Sequence, residues 1–110
     1  MKNPDNSYHA ISDGTRRRIL DMLHEENLTA GAIARRFRYI SRPAVSKHLA
    51  VLHRSKLVLI RKQGRERIYV LNAPPLKEIS DWIGRYRSGW RQQLGSFKKY
   101  IESGEEGDRS

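Results

Sequence analysis

The stretch Ser41-Arg42-Pro43-Ala44-Val45-Ser46-Lys47-His48-Leu49-Ala50-Val51-Leu52 predicts a short amphipathic helix. Ser41 is a good N-cap, because its hydroxyl accepts hydrogen bonds from backbone N–H groups that lack a partner in the first turn. A proline in that first turn costs little, since its missing N–H would have had no partner there. Val45, Leu49 and Leu52 have the i, i+4, i+7 spacing of one buried stripe, which leaves small, hydroxyl and basic side chains outside. A capped helix with a slim, cationic leading end is what the major groove of DNA accommodates.

The basic charge of the chain is concentrated around this helix. The chain has 22 Lys and Arg residues and 12 Asp and Glu residues, for a formal net charge of +10. Residues 35–67 contain eleven of the basic residues and only one acid, Glu66, so the whole excess lies there and the remainder is balanced. A solvated face is the usual explanation of a charge run. Here the excess coincides with a groove-sized helix, which favours a polyanionic partner.

Length and composition bound the class of protein. A chain of 110 residues has room for one domain, and the absence of cysteine excludes disulfides and thiolate metal sites. No apolar run approaches the roughly 20 residues that span a bilayer, and residues 1–5 lack an apolar signal core. We therefore expect a cytoplasmic protein with no membrane partner.

The N-terminal half reads as a series of short helices. Residues 1–7 are expected to form a frayed arm, and Tyr8, Ala10 and Ile11 suggest a first helix that breaks near Gly14. A second helix begins after residues 12–13, either of which can cap it, and ends at residues 25–27. Thr29 caps a third helix from residue 30 to about residue 37, and the helix quoted above ends near residues 54–55.

A hairpin and a long helix complete the domain, which we place at residues 8–101. The runs 57–62 and 67–71 are rich in β-formers and flank a turn with glycine at residues 63–66, so they predict a basic "wing". From about residue 75 to 101 we expect one helix, roughly 40 Å long at 1.5 Å per residue. The acidic residues 102–110 are expected to be disordered. Heptad-like spacing predicts a dimer interface of Leu76, Ile79, Ile83, Tyr86, Trp90, Phe97 and Tyr100, with a missed step at Gln93.

Four ordered blocks of sequence strongly resemble the ArsR/SmtB-type winged-helix transcription regulators. They are Ala10 to Leu20, Leu28 to Ala34, Ser41 to Leu49 and Gly64 to Tyr69, and the resemblance covers about residues 8–100. It implies a fold that is mainly α with a small β-hairpin, a winged helix-turn-helix. It also implies a homodimer packed through its terminal helices, with a recognition helix in the major groove and a wing near the minor groove or backbone.

The chain departs from the family pattern in three places. Gly14 stands where the family usually has proline, and the turn Phe37-Arg38-Tyr39-Ile40-Ser41 is one residue longer than the usual link. Metal-sensing members carry a cysteine pair at the start of the third helix, or Asp, His and Glu ligands on the last. Residues 28–32 contain no cysteine and the last helix no histidine, so we expect neither a metal nor another cofactor.

Candidate DNA contacts fall into two groups. Arg42 is suited to the O6 and N7 edge of guanine, and Ser46 to a base edge or a phosphate. His48 is either a half-buried histidine at the edge of the core or a DNA contact, and Arg65 at the wing tip is the strongest wing candidate. In the recognition helix the candidates are Ser41, Arg42, Pro43, Ser46, Lys47 and His48. In the wing and backbone group they are Arg54, Lys56, Arg61, Lys62, Gln63, Arg65 and Arg67.

Three arginines at the start of the second helix, residues 16–18, allow two interpretations. They contact phosphate or a partner subunit, or they form a solvated face in which Arg18 makes an internal ion pair. Cations are unfavourable at the N-terminus of a helix.

These observations favour a dimeric, sequence-specific regulator of transcription, most readily a repressor, bound to a pseudo-palindromic operator in double-stranded DNA. No catalytic motif is present, so we do not expect an enzyme. The alternatives are a sequence-indifferent architectural DNA-binding protein, a winged-helix module that binds other proteins and, more weakly, a protein that binds structured RNA. The sequence does not identify an inducer or partner protein.

Overall fold

The computed structural model of the chain describes residues 6–87 and 89–109, with side chains to residue 103. In chain order the elements are α1 (Ser7–Ala10), α2 (Gly14–Glu25), β1 (Leu28–Thr29), α3 (Ala30–Arg35), α4 (Arg42–Arg54), β2 (Val58–Gln63), β3 (Glu66–Leu71), α5 (Pro74–Arg87) and α6 (Trp90–Arg109). The described chain is therefore mainly helical with a small sheet, which confirms the predicted fold class. It divides into two compact units, Met1–Ile79 and Ser80–Ser110.

Side-chain caps begin α2 and α3 where the sequence predicts them. Asp13 accepts a hydrogen bond from the backbone N–H of Arg16 at 3.0 Å and so caps α2. Thr29 caps α3 through the N–H of Ala32 at 3.1 Å. Each cap satisfies a backbone donor that the first helical turn leaves without a partner.

The sheet is antiparallel, in the order β1-β3-β2. β2 and β3 form the predicted hairpin, in which Gln63 pairs with Glu66 across a two-residue loop. Gly64 begins the loop with φ of +64°, a conformation in which a side chain would be strained. The sequence did not predict β1, which pairs with Tyr69 and Ile68 of β3.

The core of the first unit is formed by helix stripes and the base of the hairpin. Val45, Leu49 and Leu52 are at most 1% exposed, which confirms the predicted buried stripe of α4. Ile19 of α2 and Ile33 of α3 are also fully buried in this cluster. Burial of one face of α4 leaves its opposite face to solvent.

The C-terminal prediction of one unbroken helix is wrong. α5 ends at Arg87 and α6 begins at Trp90, and the carbonyl of Gly89 accepts the N–H of Gln93 at 2.9 Å. Glycine is a poor residue for a helix interior but an acceptable one at a helix start, which explains a break there. The predicted disorder of residues 102–110 is also wrong as far as Arg109, because α6 continues to it. Extension of an existing helix adds one backbone hydrogen bond per residue without a new nucleus.

Two further predictions need correction. In the predicted arm, Asn6 caps α1 through the N–H of His9 at 2.8 Å and Ser7 is buried, while residues 1–5 lie outside the described chain. In the predicted dimer stripe, Ile79 is only 5% exposed, and Leu76 packs against the core of the first unit. Ile79 therefore offers no open surface to a second subunit, whereas Leu76 remains partly exposed.

Candidate nucleic-acid interface

The outer face of α4 carries the predicted recognition residues. Ser41 caps the helix by accepting the N–H of Ala44 at 3.2 Å. Pro43 lies in the first turn, and Arg42, Ser46 and Lys47 are all exposed. Arg42 precedes the buried Val45 by three residues, so it lies at the edge of the buried stripe, whereas Lys47 lies on the opposite side of the helix. None of the residues of α4 is a carboxylate.

The guanidinium of Arg42 turns toward α3. A Cβ built on Gly31 would lie 3.4 Å from Nη2 of Arg42 and 3.6 Å from Nη1 of Arg35. Two arginines thus meet over a residue without a side chain. Two neighbouring guanidinium groups repel each other, so an anion beside them would be stabilising. Sequence reasoning missed the proximity of Arg35 to Arg42, because it depends on the packing of α3 against α4.

His48 is partly buried and lies beside the recognition face. Its side chain is 23% exposed, and Nδ1 lies 3.3 Å from Nη1 of Arg16 and 3.8 Å from Oδ2 of Asp13. Nδ1 can accept from the guanidinium when the imidazole proton is on Nε2. This geometry supports the half-buried alternative for His48 and gives the residue a positioning role for α4.

Arg16 is the centre of that network, a role the sequence did not reveal. It is 9% exposed, and its Nε donates to the carbonyl of Ala10 at 2.7 Å. The backbone N–H of Arg16 donates a hydrogen bond to the Asp13 carboxylate, and this bond is the main reason that the pKa of Asp13 lies below its ordinary value. The contacts connect α1, α2 and α4, so Arg16 is neither a free phosphate contact nor part of a solvated face.

The other two arginines of this run differ from Arg16. Arg17 donates to the carbonyl of Ile11 at 2.6 Å. Arg18 lies over the ring of Phe37, with 4.7 Å from Cζ to the ring centroid, and not in the internal ion pair that one of the two interpretations expected. A guanidinium over an aromatic face is attracted by the ring quadrupole.

The wing is a solvent-exposed cationic hairpin. Residues 61–67 are all exposed, and Arg65 occupies the second position of the two-residue loop. Lys62 lies directly opposite Arg67, and Arg61 opposite Ile68. Like charges in directly opposed positions destabilise a hairpin, so the Lys62–Arg67 pair favours an anionic partner over a purely structural role.

Lys56 has an unusual backbone conformation at the end of α4. Its φ is +65°, and it is the only described residue other than glycine with a positive φ. The N–H of Lys56 bonds to the carbonyl of His53 at 3.1 Å, and that of Leu57 to the carbonyl of Leu52 at 3.0 Å. This pair of bonds is the Schellman arrangement, whose left-handed position is usually occupied by glycine. Lys56 and the neighbouring Arg54 are both exposed.

Among the described residues, no three His, Asp or Glu side chains are grouped so that they could hold a metal ion. In the same part of the chain, no helix is long and apolar enough to cross a membrane.

Comparison with known proteins agrees with this geometry. Residues 11–61 match a helix-turn-helix domain family. The chain is 37% identical to the HTH-type transcriptional regulator Rv2034 of Mycobacterium tuberculosis, over 97% of this chain and 94% of that protein. It is 39% identical to the transcriptional repressor SdpR of Bacillus subtilis, over 72% of this chain and 87% of SdpR. An ArsR-like transcriptional regulator from Rhodococcus sp. RHA1 has a similar structure, with a TM-score of 0.68, 33% identity and coverage of 87% of both chains.

The capped outer helix, the hairpin wing and these relatives together define a winged helix-turn-helix DNA-binding protein and exclude an enzyme. The chain belongs to the ArsR-type family of transcriptional regulators.

Proposed function

We propose that the protein acts as a homodimeric, sequence-specific repressor that binds a pseudo-palindromic operator in double-stranded DNA. The observation that carries the proposal is the exposed face of α4, which joins a cationic leading end to a small hydroxyl side chain and contains no acid. Such a face offers donors to base edges, and the basic wing beside it neutralises phosphates. Twofold symmetry would place two recognition helices about 34 Å apart, one turn of DNA.

Base reading and backbone binding fall to different residues. Ser46 and Lys47, on the outer face of α4, discriminate between bases. Lys56, Arg61 and Arg65 contact phosphate, which gives affinity and a steep dependence on salt. Arg42 also contacts DNA. Its orientation beside Arg35 suits a phosphate, whereas the sequence predicts a guanine edge. Binding of Arg42→Ala to cognate and random DNA distinguishes these two roles.

Dimerisation is supported by the apolar surface of the second unit. Trp90, Leu94, Phe97 and Tyr100 are 43%, 66%, 62% and 78% exposed, and they lie on α6 at helical spacing. A run of large apolar side chains open to water marks an interaction surface. A second copy of the chain is the occupant that a palindromic operator requires.

Sedimentation velocity tests the dimer. At micromolar concentration the wild-type chain should sediment as a dimer and Phe97→Asp should shift toward the monomer. As a matched control, Lys98→Asp changes the adjacent, polar position of the same helix and should remain dimeric. A wild-type chain that sediments only as monomer would remove this part of the proposal.

Repression is proposed because it requires only that the protein occupy DNA over a promoter, whereas activation also requires a productive contact with the transcription machinery. A reporter gene fused to the DNA upstream of the protein's own coding sequence tests this. Expression should rise when the protein is deleted and fall when it is restored. Lower expression in the deletion strain would assign activation instead, while binding without an effect on the reporter would favour the architectural alternative.

A further inference from the structure

A second cationic surface lies at the turn between α3 and α4, in addition to the recognition face and the wing. Its residues surround a cavity of about 340 Å³ and come from α2 and the turn: Arg18, Arg36, Phe37, Arg38, Tyr39 and Ile40. We call it the turn surface. The link between the two helices, residues 36–41, supplies most of it.

The turn is fixed at both ends and projects in the middle. Phe37 is 7% exposed, and Ile40 packs against the core. Between these anchors Tyr39 is 92% exposed, the highest exposure among the large hydrophobic side chains that the structure describes. Arg38 lies beside it, with 5.9 Å from Cζ to the tyrosine ring centroid. The middle of the turn therefore presents a phenol and a guanidinium to solvent.

The charges of the turn surface are only partly compensated. Nη2 of Arg36 lies 2.8 Å from Oε1 of Glu26, so this arginine is paired. Arg18 and Arg38 form no ion pair within the described chain, and each lies over an aromatic ring instead. The surface therefore carries a net positive charge and, in the Tyr39 hydroxyl, a neutral hydrogen-bond donor.

We propose that the turn surface binds the phosphate backbone of DNA just outside the groove that receives α4. The proposal rests on the proposed function. Tyr39 lies two residues before Ser41, the N-cap of α4, so the turn stands at the end of the helix that approaches the bases. Arginine and tyrosine side chains are common donors to phosphate oxygens. Charge and continuity with the recognition face favour DNA over an acidic protein as the occupant.

This contact would anchor the leading end of the recognition helix. Wing contacts act from the hairpin, so a phosphate held by Arg38 and Tyr39 would add a separate fixed point and restrict the angle at which α4 enters the groove. Phosphate contacts of this kind set register and orientation without themselves reading sequence.

The test uses the full chain and a random-sequence duplex of 30 base pairs, because phosphate contacts do not depend on base sequence. Fluorescence anisotropy over a salt series compares the wild type with Arg38→Gln and Tyr39→Phe. Arg65→Gln is the reference for the phosphate contact proposed for the wing, and Lys77→Gln removes one charge from the start of α5, outside the turn surface. Thermal melts establish that each variant is folded.

Arg38→Gln should lower the slope of log K against log salt concentration by about 0.9 for each subunit bound, and raise Kd about five- to tenfold for each subunit at 0.1 M salt. Tyr39→Phe should raise Kd about two- to fivefold with an unchanged slope, because the lost donor is neutral. Lys77→Gln should change Kd less than twofold. The proposal is overturned if Arg38→Gln and Tyr39→Phe behave like Lys77→Gln while Arg65→Gln lowers the slope; the regulator itself would then stand. A wild type that binds no DNA would refute the proposed function and this contact together.

Discussion

Lys56→Gly separates the stability of the protein from its DNA affinity, because the two should move in opposite directions. Lys56 has a φ of +65° and its position completes the Schellman arrangement at the end of α4. A residue with a Cβ loses about 1–2 kcal/mol in this conformation, whereas glycine does not. Glycine also has more conformational freedom in the unfolded chain, which cancels about 0.5–1 kcal/mol of the stability gained by relieving the strain. We therefore expect the variant to be more stable by about 0.5–1 kcal/mol.

The same substitution should weaken binding to DNA. Each Lys56 that neutralises a phosphate contributes about 0.9 to the slope of log K against log salt concentration. The proposed dimer contains two such lysines, so its slope should fall by about 1.8. Backbone strain persists in proteins where a function retains it, and the proposed phosphate contact would be such a function for a lysine where glycine is the better structural residue.

Chemical denaturation and anisotropy on the same preparations measure both effects at equal protein concentration, since dimerisation makes stability depend on concentration. Lys56→Ala is the matched control: it removes the charge but retains the Cβ, so it should lose the same affinity without a gain in stability. A Lys56→Gly protein that is no more stable than Lys56→Ala would refute the strain argument. Unchanged salt slopes in both variants would refute the phosphate contact.

Three further predictions concern the cap, the core and the division of DNA contacts. Asp13→Ala should lower the free energy of unfolding by about 0.5–2 kcal/mol at neutral pH. Folding lowers the pKa of Asp13. The cap therefore contributes its stability above the pKa of the unfolded state and loses it as pH falls through the lower pKa of the folded state. The difference in unfolding free energy between the wild type and Asp13→Ala should shrink below about pH 4. Leu49→Ala, at a position 1% exposed, should lose about 2–5 kcal/mol in the same assay. Arg42→Ala should cost about 1–3 kcal/mol on cognate DNA and relax specificity if the arginine reads guanine, while Arg61→Ala weakens cognate and random duplexes equally.

Each of these has a clear contrary result. A deficit of Asp13→Ala that persists unchanged in acid would mean that the ionised carboxylate is not what stabilises α2. A loss below about 1 kcal/mol for Leu49→Ala would contradict the buried stripe on which the orientation of α4 rests. Equal losses on cognate and random DNA for Arg42→Ala would assign this residue to phosphate, as its position beside Arg35 suggests.

Local signals in the sequence were sufficient for the helix-turn-helix and the hairpin. Caps at Asp13, Thr29 and Ser41 act within three residues, and the buried stripe of α4 follows from a single helical period. The wing was also predictable, because two runs of β-formers flank Gly64. These features depend on near neighbours, which is why residue spacing reveals them.

Features that depend on distant contacts were not predictable. β1 has two residues and exists through its pairing with β3, so it has no periodicity of its own. The Arg16–His48 contact joins residues 32 positions apart and leaves no local pattern. The break before α6 was hidden because apolar residues recur at helical spacing on both sides; Gly89 was the available signal.

The central claim is sequence-specific binding, and fluorescence anisotropy tests it most directly. The wild-type protein is titrated into a labelled duplex from the DNA upstream of its own coding sequence, once a footprint has located the protected segment there or elsewhere in the genome. A scrambled duplex of the same length and composition is the control, and both are measured over a salt series. The account predicts that the footprinted duplex binds at least about a thousandfold more tightly than the scrambled one at physiological salt. Equal affinity for the two, with the same steep salt slope, would contradict it and identify a sequence-indifferent DNA-binding protein.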